Sequence, residues 1–205
     1  MNKNFIFKSL NLVKIITLFV LLTVNSYSAD SNNSNGIMFG DDNAPVKIKI
    51  FSSFTCPHCA NFHLKIVSEI EKNYIKSGKV QLIFIDFPLD QAAFNASKLL
   101  HCLDKNKQIN FMDTIYKKQT EWTAGSNLNE INNNLKKIVF SMGVSSDNFE
   151  KCLNNENVEN KILDGRIDAQ KKYSISSTPT VIINEKKFEE SFNFKNIKEE
   201  IDKLI

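Results

Sequence analysis

Between Val46 and Phe87 the apolar residues change their period twice, and this constrains the fold more than any other feature of the chain. In "PVKIKIF" the residues Val46, Ile48 and Ile50 alternate with lysines, the period of a strand with one buried face. Further on the spacing is helical: Phe62, Ile66, Val67, Ile70 and Tyr74 recur on one face up to the stop signal Ser77-Gly78. "KVQLIFIDF" (79–87) is a second, more continuously apolar strand, ended by Pro88. Strand, helix and strand in so short a span predict a βαβ unit with parallel strands.

From about residue 90 to 173 no strand pattern recurs. The stretch reads as helices: "QAAFNASKLLHCLDK", "INFMDTIYKKQTEW", "LNEINNNLKKIVFSMG", "SSDNFEKCLNN" and a longer one through Tyr173. Ser145 or Ser146 suits the N-cap of the fourth, with acids following in its first turn. "TPTVIIN" returns to strand, "NEKK" turns into a short strand around Phe188, and Ile197, Ile201 and Leu204 line one face of a terminal helix. The order is β-α-β, a helical block, then β-β-α, an α/β fold in one domain (39–205). Ahead of it, residues 30–38 read as a flexible arm, polar and Asn/Ser-rich in "DSNNSNG".

The first 29 residues have the layout of a secretory signal peptide. Lys3, Lys8 and Lys14 precede the apolar "IITLFVLLTV", and Ser26 and Ser28 supply small residues for a cleavage site. The apolar run is short for a membrane span, which takes about 20 residues. The full chain carries 26 Lys+Arg against 23 Asp+Glu; the leader's lysines account for that excess. The chain beyond the leader is neutral, so nothing in its charge argues for nucleic acid as a partner. Export also sets the redox context. All four cysteines, Cys56, Cys59, Cys102 and Cys152, lie beyond the leader, and disulfides are the default in an oxidising compartment.

"FTCPHCANFH" holds the chemistry. Cys56 falls at the strand-to-helix junction, where first-turn N–H groups and the helix dipole stabilise an anion. A thiolate is the nucleophile of thiol–disulfide exchange, so a lowered pKa decides reactivity. Cys59 lies one helical turn deeper, close enough to resolve a mixed disulfide. Pro57 suits the first helical position, which needs no N–H. His58 beside Cys56 can favour the thiolate as a cation or donor. Two other uses compete. A zinc site usually takes four ligands, and here one Cys-x-x-Cys pair has only His63 as a third candidate. A purely structural staple has little purpose at a helix N-terminus.

"CPHC" after an apolar strand, with Thr178-Pro179 before a late strand, resembles the thioredoxin fold. The helical block between βαβ and ββα makes the chain similar to the DsbA family of secreted thiol–disulfide oxidoreductases, nearest its alpha-proteobacterial and Com1-like members. "GDDNAPVKIKIFSSFTCPHC", "IDFPLD" and "SSTPTVIIN" extend the likeness from about Gly40 to the C-terminus. The resemblance implies Cys56 as the exposed attacking cysteine, Cys59 as its buried partner, and His58 as tuner of the potential. It implies that Pro179 is cis, with Thr178 packing on the sulfurs, and that both bind substrate. There is one departure: where members often carry a buried acid below the active site, this chain has Ile50.

The resemblance further implies a structural disulfide between Cys102 and Cys152, no metal and no organic cofactor beyond the Cys56–Cys59 pair. Partners would be unfolded or partly folded exported proteins with cysteines and a DsbB-like membrane re-oxidant. The expectation is a monomeric periplasmic oxidase. A reductase or isomerase is the alternative, and a metal-binding protein using Cys56, Cys59 and His63 a third. His101 reads as a surface helix residue, His63 as polar on a solvated helix face, and Trp122 and most phenylalanines as core.

Overall fold

The computed structural model describes residues 36–205; the expected signal peptide and the arm as far as residue 35 lie outside the described residues. A five-stranded sheet carries the fold. Its strands are β1 (Ile37–Gly40), β2 (Val46–Ser52), β3 (Val80–Asp86), β4 (Thr180–Ile183) and β5 (Lys186–Lys187), in the order β1-β3-β2-β4-β5. β2 and β3 are parallel, in register from Val46 opposite Val80 to Ser52 opposite Asp86, and the remaining pairs are antiparallel.

Helix α1 connects β2 to β3. It runs through Pro57–Phe62, Ser68–Ile70 and two π-helical turns, His63–Val67 and Glu71–Ile75, all in right-handed helical backbone. Such turns are uncommon and recur at functional sites. The helical block comes next: α2 (Gln91–Cys102), α3 (Lys105–Lys117), α4 (Gln119–Trp122), α5 (Leu128–Ser141), α6 (Ser146–Leu153) and α7 (Glu156–Tyr173). Helix α8 (Phe194–Asp202) follows β5. Ser145 caps α6 by accepting from Asn148 N at 3.3 Å, as its sequence position predicts. No helix among the described residues is long and apolar enough to cross a membrane.

The alternation in β2 divides the core. Val46, Ile48 and Ile50 join α1, α2, α3, α5 and α8 in the larger cluster. Phe51 and Ile182, on the opposite face, pack with Ala169 of α7 and with Ile175. Trp122 is a core residue, 1 % exposed, and its indole N–H donates to Ile115 O at 2.9 Å.

Four boundaries differ from the sequence reading. Ile37 and Met38, assigned to the arm, belong to β1, with Ile37 buried opposite Phe84. Four residues are too few for a period to register, and this strand exists through pairing with β3. Its last residue, Gly40, takes φ +108°, and a Cβ there would lie 2.7 Å from Val80 O. "INFMDTIYKKQTEW" breaks at Lys118 into α3 and α4. β5 stops at Lys187, although Phe188 still donates its N–H to Val181 O at 2.9 Å. Leu204 lies beyond α8 and is exposed, leaving Ile197 and Ile201 as that helix's buried pair.

The polar residues of β2 have a separate role. Lys49 and Lys172 both pair with Glu185 in the turn after β4, and Tyr173 donates its hydroxyl to the same carboxylate. Partial burial alone would raise the Glu185 carboxyl, but hydrogen bonds from Lys172, Lys49 and Tyr173 outweigh it and bring the pKa down to about 2. A depressed folded-state pKa contributes stability that is present above about pH 4.5 and lost as pH falls through about 2. Because the cluster is half-exposed, Glu185→Gln is expected to cost no more than about 1 kcal/mol at neutral pH. The difference in urea midpoint from the native chain should vanish near pH 2; an equal difference at both pH values would refute the electrostatic origin.

Candidate active site

Cys56 ends the loop after β2, at the carboxyl end of the parallel pair, where open α/β sheets place their sites. Its backbone is extended (φ −77°, ψ 118°), it serves as N-cap of α1, and Pro57 occupies the first turn, as predicted. The loop is held from several sides. Gln119 of α4, itself buried, donates to Phe54 O at 2.7 Å and to Cys56 O at 3.1 Å. Thr55 Oγ1 donates to Asp90 Oδ2 at 2.7 Å, and Leu89 N donates to Ser53 Oγ at 3.3 Å. The start of α2 and α4 of the helical block therefore fix the position of the thiol.

Both Cys56 and Cys59 are free thiols. Cys56 was expected to be exposed, but it is only 7 % exposed, because Thr178 lies across it and accepts a hydrogen bond from Cys56 Sγ at 3.3 Å. Cys59 is deeper still, at 1 %. Burial pushes the Cys59 thiol up to about 11. The Ser52 and Thr178 hydroxyls and the Ser53 backbone oppose that shift, and the neighbouring Cys56 adds to it. The Thr178–Pro179 bond is cis, as the resemblance implies. Thr178 Oγ1 is buried beside the Cys59 thiol. Pro57 and His58 are exposed, and among the described residues no hydrogen bond links His58 to Cys56.

Two histidines are placed differently from expectation. His63, predicted on a solvated face, is 4 % exposed; its ring lies 4.9 Å from that of Tyr116 and its Nε2 is 2.7 Å from Asp113 Oδ1. That engages it away from the cysteines, and no group of three His, Cys, Asp or Glu among the described residues could hold a metal ion. His101, predicted at the surface, has a side chain only 5 % exposed and places Nε2 2.7 Å from Asp86 Oδ2. Its helix is covered on that side by the end of β3, which the α2 sequence alone does not reveal. Ile50 is buried at 2 % between Phe84 and Val181, so the strand below the cysteines carries an apolar side chain at that point.

Cys102, the last residue of α2, is bonded to Cys152 of α6, with Cα atoms 6.0 Å apart. Sequence reasoning missed Gln119, Thr55 and Asp90 as supports of the loop, and it missed Ser52 and Tyr116, whose hydroxyls are 2.7 Å apart beneath Cys59. One signal was available: an aspartate inside the apolar run "LIFIDF" marks a buried acid.

Residues 32–203 match the family model described as thioredoxin. The chain belongs to the thioredoxin family. Alpha-DsbA1 of Wolbachia pipientis matches this thioredoxin-family chain with a TM-score of 0.76 at 29 % identity, over 83 % of this chain and 90 % of that one. A Bacillus cereus relative named "Probable disulfide bond formation protein D" is 28 % identical and covers 96 % of both chains. A Rickettsia bellii relative assigned to the protein-disulfide oxidoreductases is 25 % identical over 84 % of this chain, which spans 66 % of that protein's length. The resemblance to the DsbA family and the thioredoxin fold with its helical block are borne out.

Proposed function

We propose that this protein is a thiol–disulfide oxidoreductase that introduces disulfide bonds into exported proteins through the Cys56–Cys59 pair. The observation that carries this reading is the graded burial of two free thiols at one helix N-terminus, Cys56 at 7 % and Cys59 at 1 %. In the oxidised pair a substrate thiolate attacks Cys56 Sγ, the Cys56–Cys59 bond breaks, and Cys59 leaves as thiolate. A second substrate thiol then displaces Cys56, so the substrate gains a disulfide and the pair ends as a dithiol. Cys56, at the N-cap of α1 and less deeply buried than Cys59, is the sulfur displaced in that second step.

Thr178 and Pro179 border the sulfur on the side where an extended substrate segment would lie. No organic cofactor or metal enters this cycle. Re-oxidation falls to a DsbB-like membrane partner, and the protein acts in the periplasm as a monomer after loss of residues 1–29. The names of the relatives support the chemistry, and their disulfide-forming members favour the oxidising direction.

Equilibration of the pair against glutathione tests the direction. The oxidising direction predicts a potential above about −200 mV, toward the oxidising end of the family range. A potential below that of the glutathione couple would reassign the protein as a reductase.

A further inference from the structure

Cys59 must gain a proton each time the pair opens and lose one each time it closes. At 1 % exposure it has no direct contact with bulk water, and Ile50 offers no base. The nearest strand provides one. Ser52 and Asp86 are register partners at the ends of β2 and β3. The Ser52 hydroxyl faces Cys59 and favours its thiolate. Ser52 Oγ is 2.7 Å from the Tyr116 hydroxyl, in a contact where either oxygen can donate. Tyr116 is buried, and together with Ser52 and Asp86 it supplies the polar lining of a cavity of about 10 Å³ whose other wall residues, Phe54 and Leu100 among them, are apolar. That is about the smallest space that admits one water.

Asp86 itself is 8 % exposed and accepts from Ser97 Oγ at 2.6 Å and from His101 Nε2 at 2.7 Å. Removing an acid from water costs several kcal/mol, so a buried carboxylate facing this cavity asks for a use. The other titratable pair near Tyr116 is His63, whose ring centroid lies 4.9 Å from that of Tyr116, with the exposed Asp113.

We infer that Asp86, held by His101 and Ser97, is the proton store for Cys59, connected to it through Ser52 and Tyr116. The inference rests on the thiol-exchange reading above. On closing, Cys59 Sγ gives its proton to Ser52 Oγ as Ser52 passes its own to Tyr116. The Tyr116 proton passes to a water in the cavity, and that water gives one of its own to the Asp86 carboxylate, which ends protonated. The Cys59 thiolate attacks Cys56 of the mixed disulfide; the Cys56–Cys59 bond forms, the bond to the other sulfur breaks, and that sulfur leaves as thiolate. Two electrons pass from the pair to the departing thiol. Opening runs the same path backwards.

The test mixes the reduced full-length chain with the aromatic disulfide 5,5′-dithiobis(2-nitrobenzoate). Cys56 releases the first thionitrobenzoate in a bimolecular phase, and attack by Cys59 releases the second in a concentration-independent phase. Asp86→Asn is expected to slow the second phase about a hundredfold at neutral pH, and Tyr116→Phe at least about tenfold, with the first phase intact. In both variants the second phase should rise about tenfold per pH unit, because hydroxide must take the proton, whereas the native profile stays shallow. Asp113→Asn should behave as native. Where Asp86→Asn does not fold, Tyr116→Phe decides, since it removes one oxygen and keeps the ring. Native rates and a native pH profile in both variants, or in Tyr116→Phe alone where only it folds, would overturn the relay, as would an equal slowing by Asp113→Asn. A native chain that releases no thionitrobenzoate refutes the exchange reading itself, which is a different failure.

Discussion

Replacing Cys56 by Ser is expected to abolish dithiol–disulfide exchange, while Cys59→Ser, which cannot form the pair's disulfide, keeps only the attack of Cys56 on a disulfide and cannot resolve the adduct. The two thiols are three residues apart, but their surroundings differ. Cys56 caps α1 at the end of the loop after β2, and its thiol donates to the Thr178 carbonyl. Cys59 lies inside the protein with its thiol pushed up to about 11 by burial, so at neutral pH it is almost entirely protonated and unreachable by a macromolecular thiol. A serine at position 56 retains the shape of the site and removes the nucleophile and leaving group together. Oxidative refolding of a reduced cysteine-containing protein should then proceed at the uncatalysed rate. Mixed with a disulfide-bonded substrate, Cys59→Ser should instead accumulate an adduct on Cys56 as the substrate's other sulfur leaves as thiolate, which mass spectrometry of acid-quenched samples identifies. Adducts at Cys59 in the Cys56→Ser variant would invert the assignment of roles.

Much of this site was legible in the sequence because its central elements are local. A period-2 strand, a Cys-Pro-His-Cys helix start and a second apolar strand define one βαβ unit, and any chain that folds it must bring Cys56 to the carboxyl end of the parallel pair. Thr178-Pro179 lies more than 100 residues later, and only family resemblance could place it against the sulfur; the 3.3 Å hydrogen bond to Cys56 does so in space. What stayed hidden shares one physical character: polar residues whose burial depends on a neighbouring layer. His63 and His101 each sit on helices with ordinary amphipathic spacing. Each is buried because a distant element covers it, Tyr116 of α3 over His63 and the end of β3 over His101. Gln119 is a similar case, since nothing in "KKQTEW" announces an amide that spans the active-site loop. β1 was missed for a different reason, because an edge strand of four residues owes its existence to pairing rather than to pattern.

Removal of the second cysteine pair, as Cys102→Ala with Cys152→Ala, is expected to cost about 4 kcal/mol of stability and to leave exchange at Cys56 within about twofold of native. The bridge closes a loop of 50 residues, and the chain-entropy relation for a loop of that size gives about 4 kcal/mol. The loop contains α3, α4 and α5, which hold Gln119, Trp122 and Tyr116, so without the bridge the unfolded chain gains most freedom where the support of the active site is built. In a domain of this size the loss corresponds to roughly 8 to 16 °C in Tm. Urea and thermal unfolding of the two proteins, with and without dithiothreitol, give the size of the effect. Reductant should lower the native chain toward the variant and leave the variant's own stability nearly unchanged. The folded variant still has Cys56 capped on α1 and Cys59 beneath it, since neither contacts the bridge through any hydrogen bond among the described residues. If it instead lost exchange as completely as Cys56→Ser while remaining folded, Cys102 and Cys152 would have to be a second redox centre rather than a brace between α2 and α6.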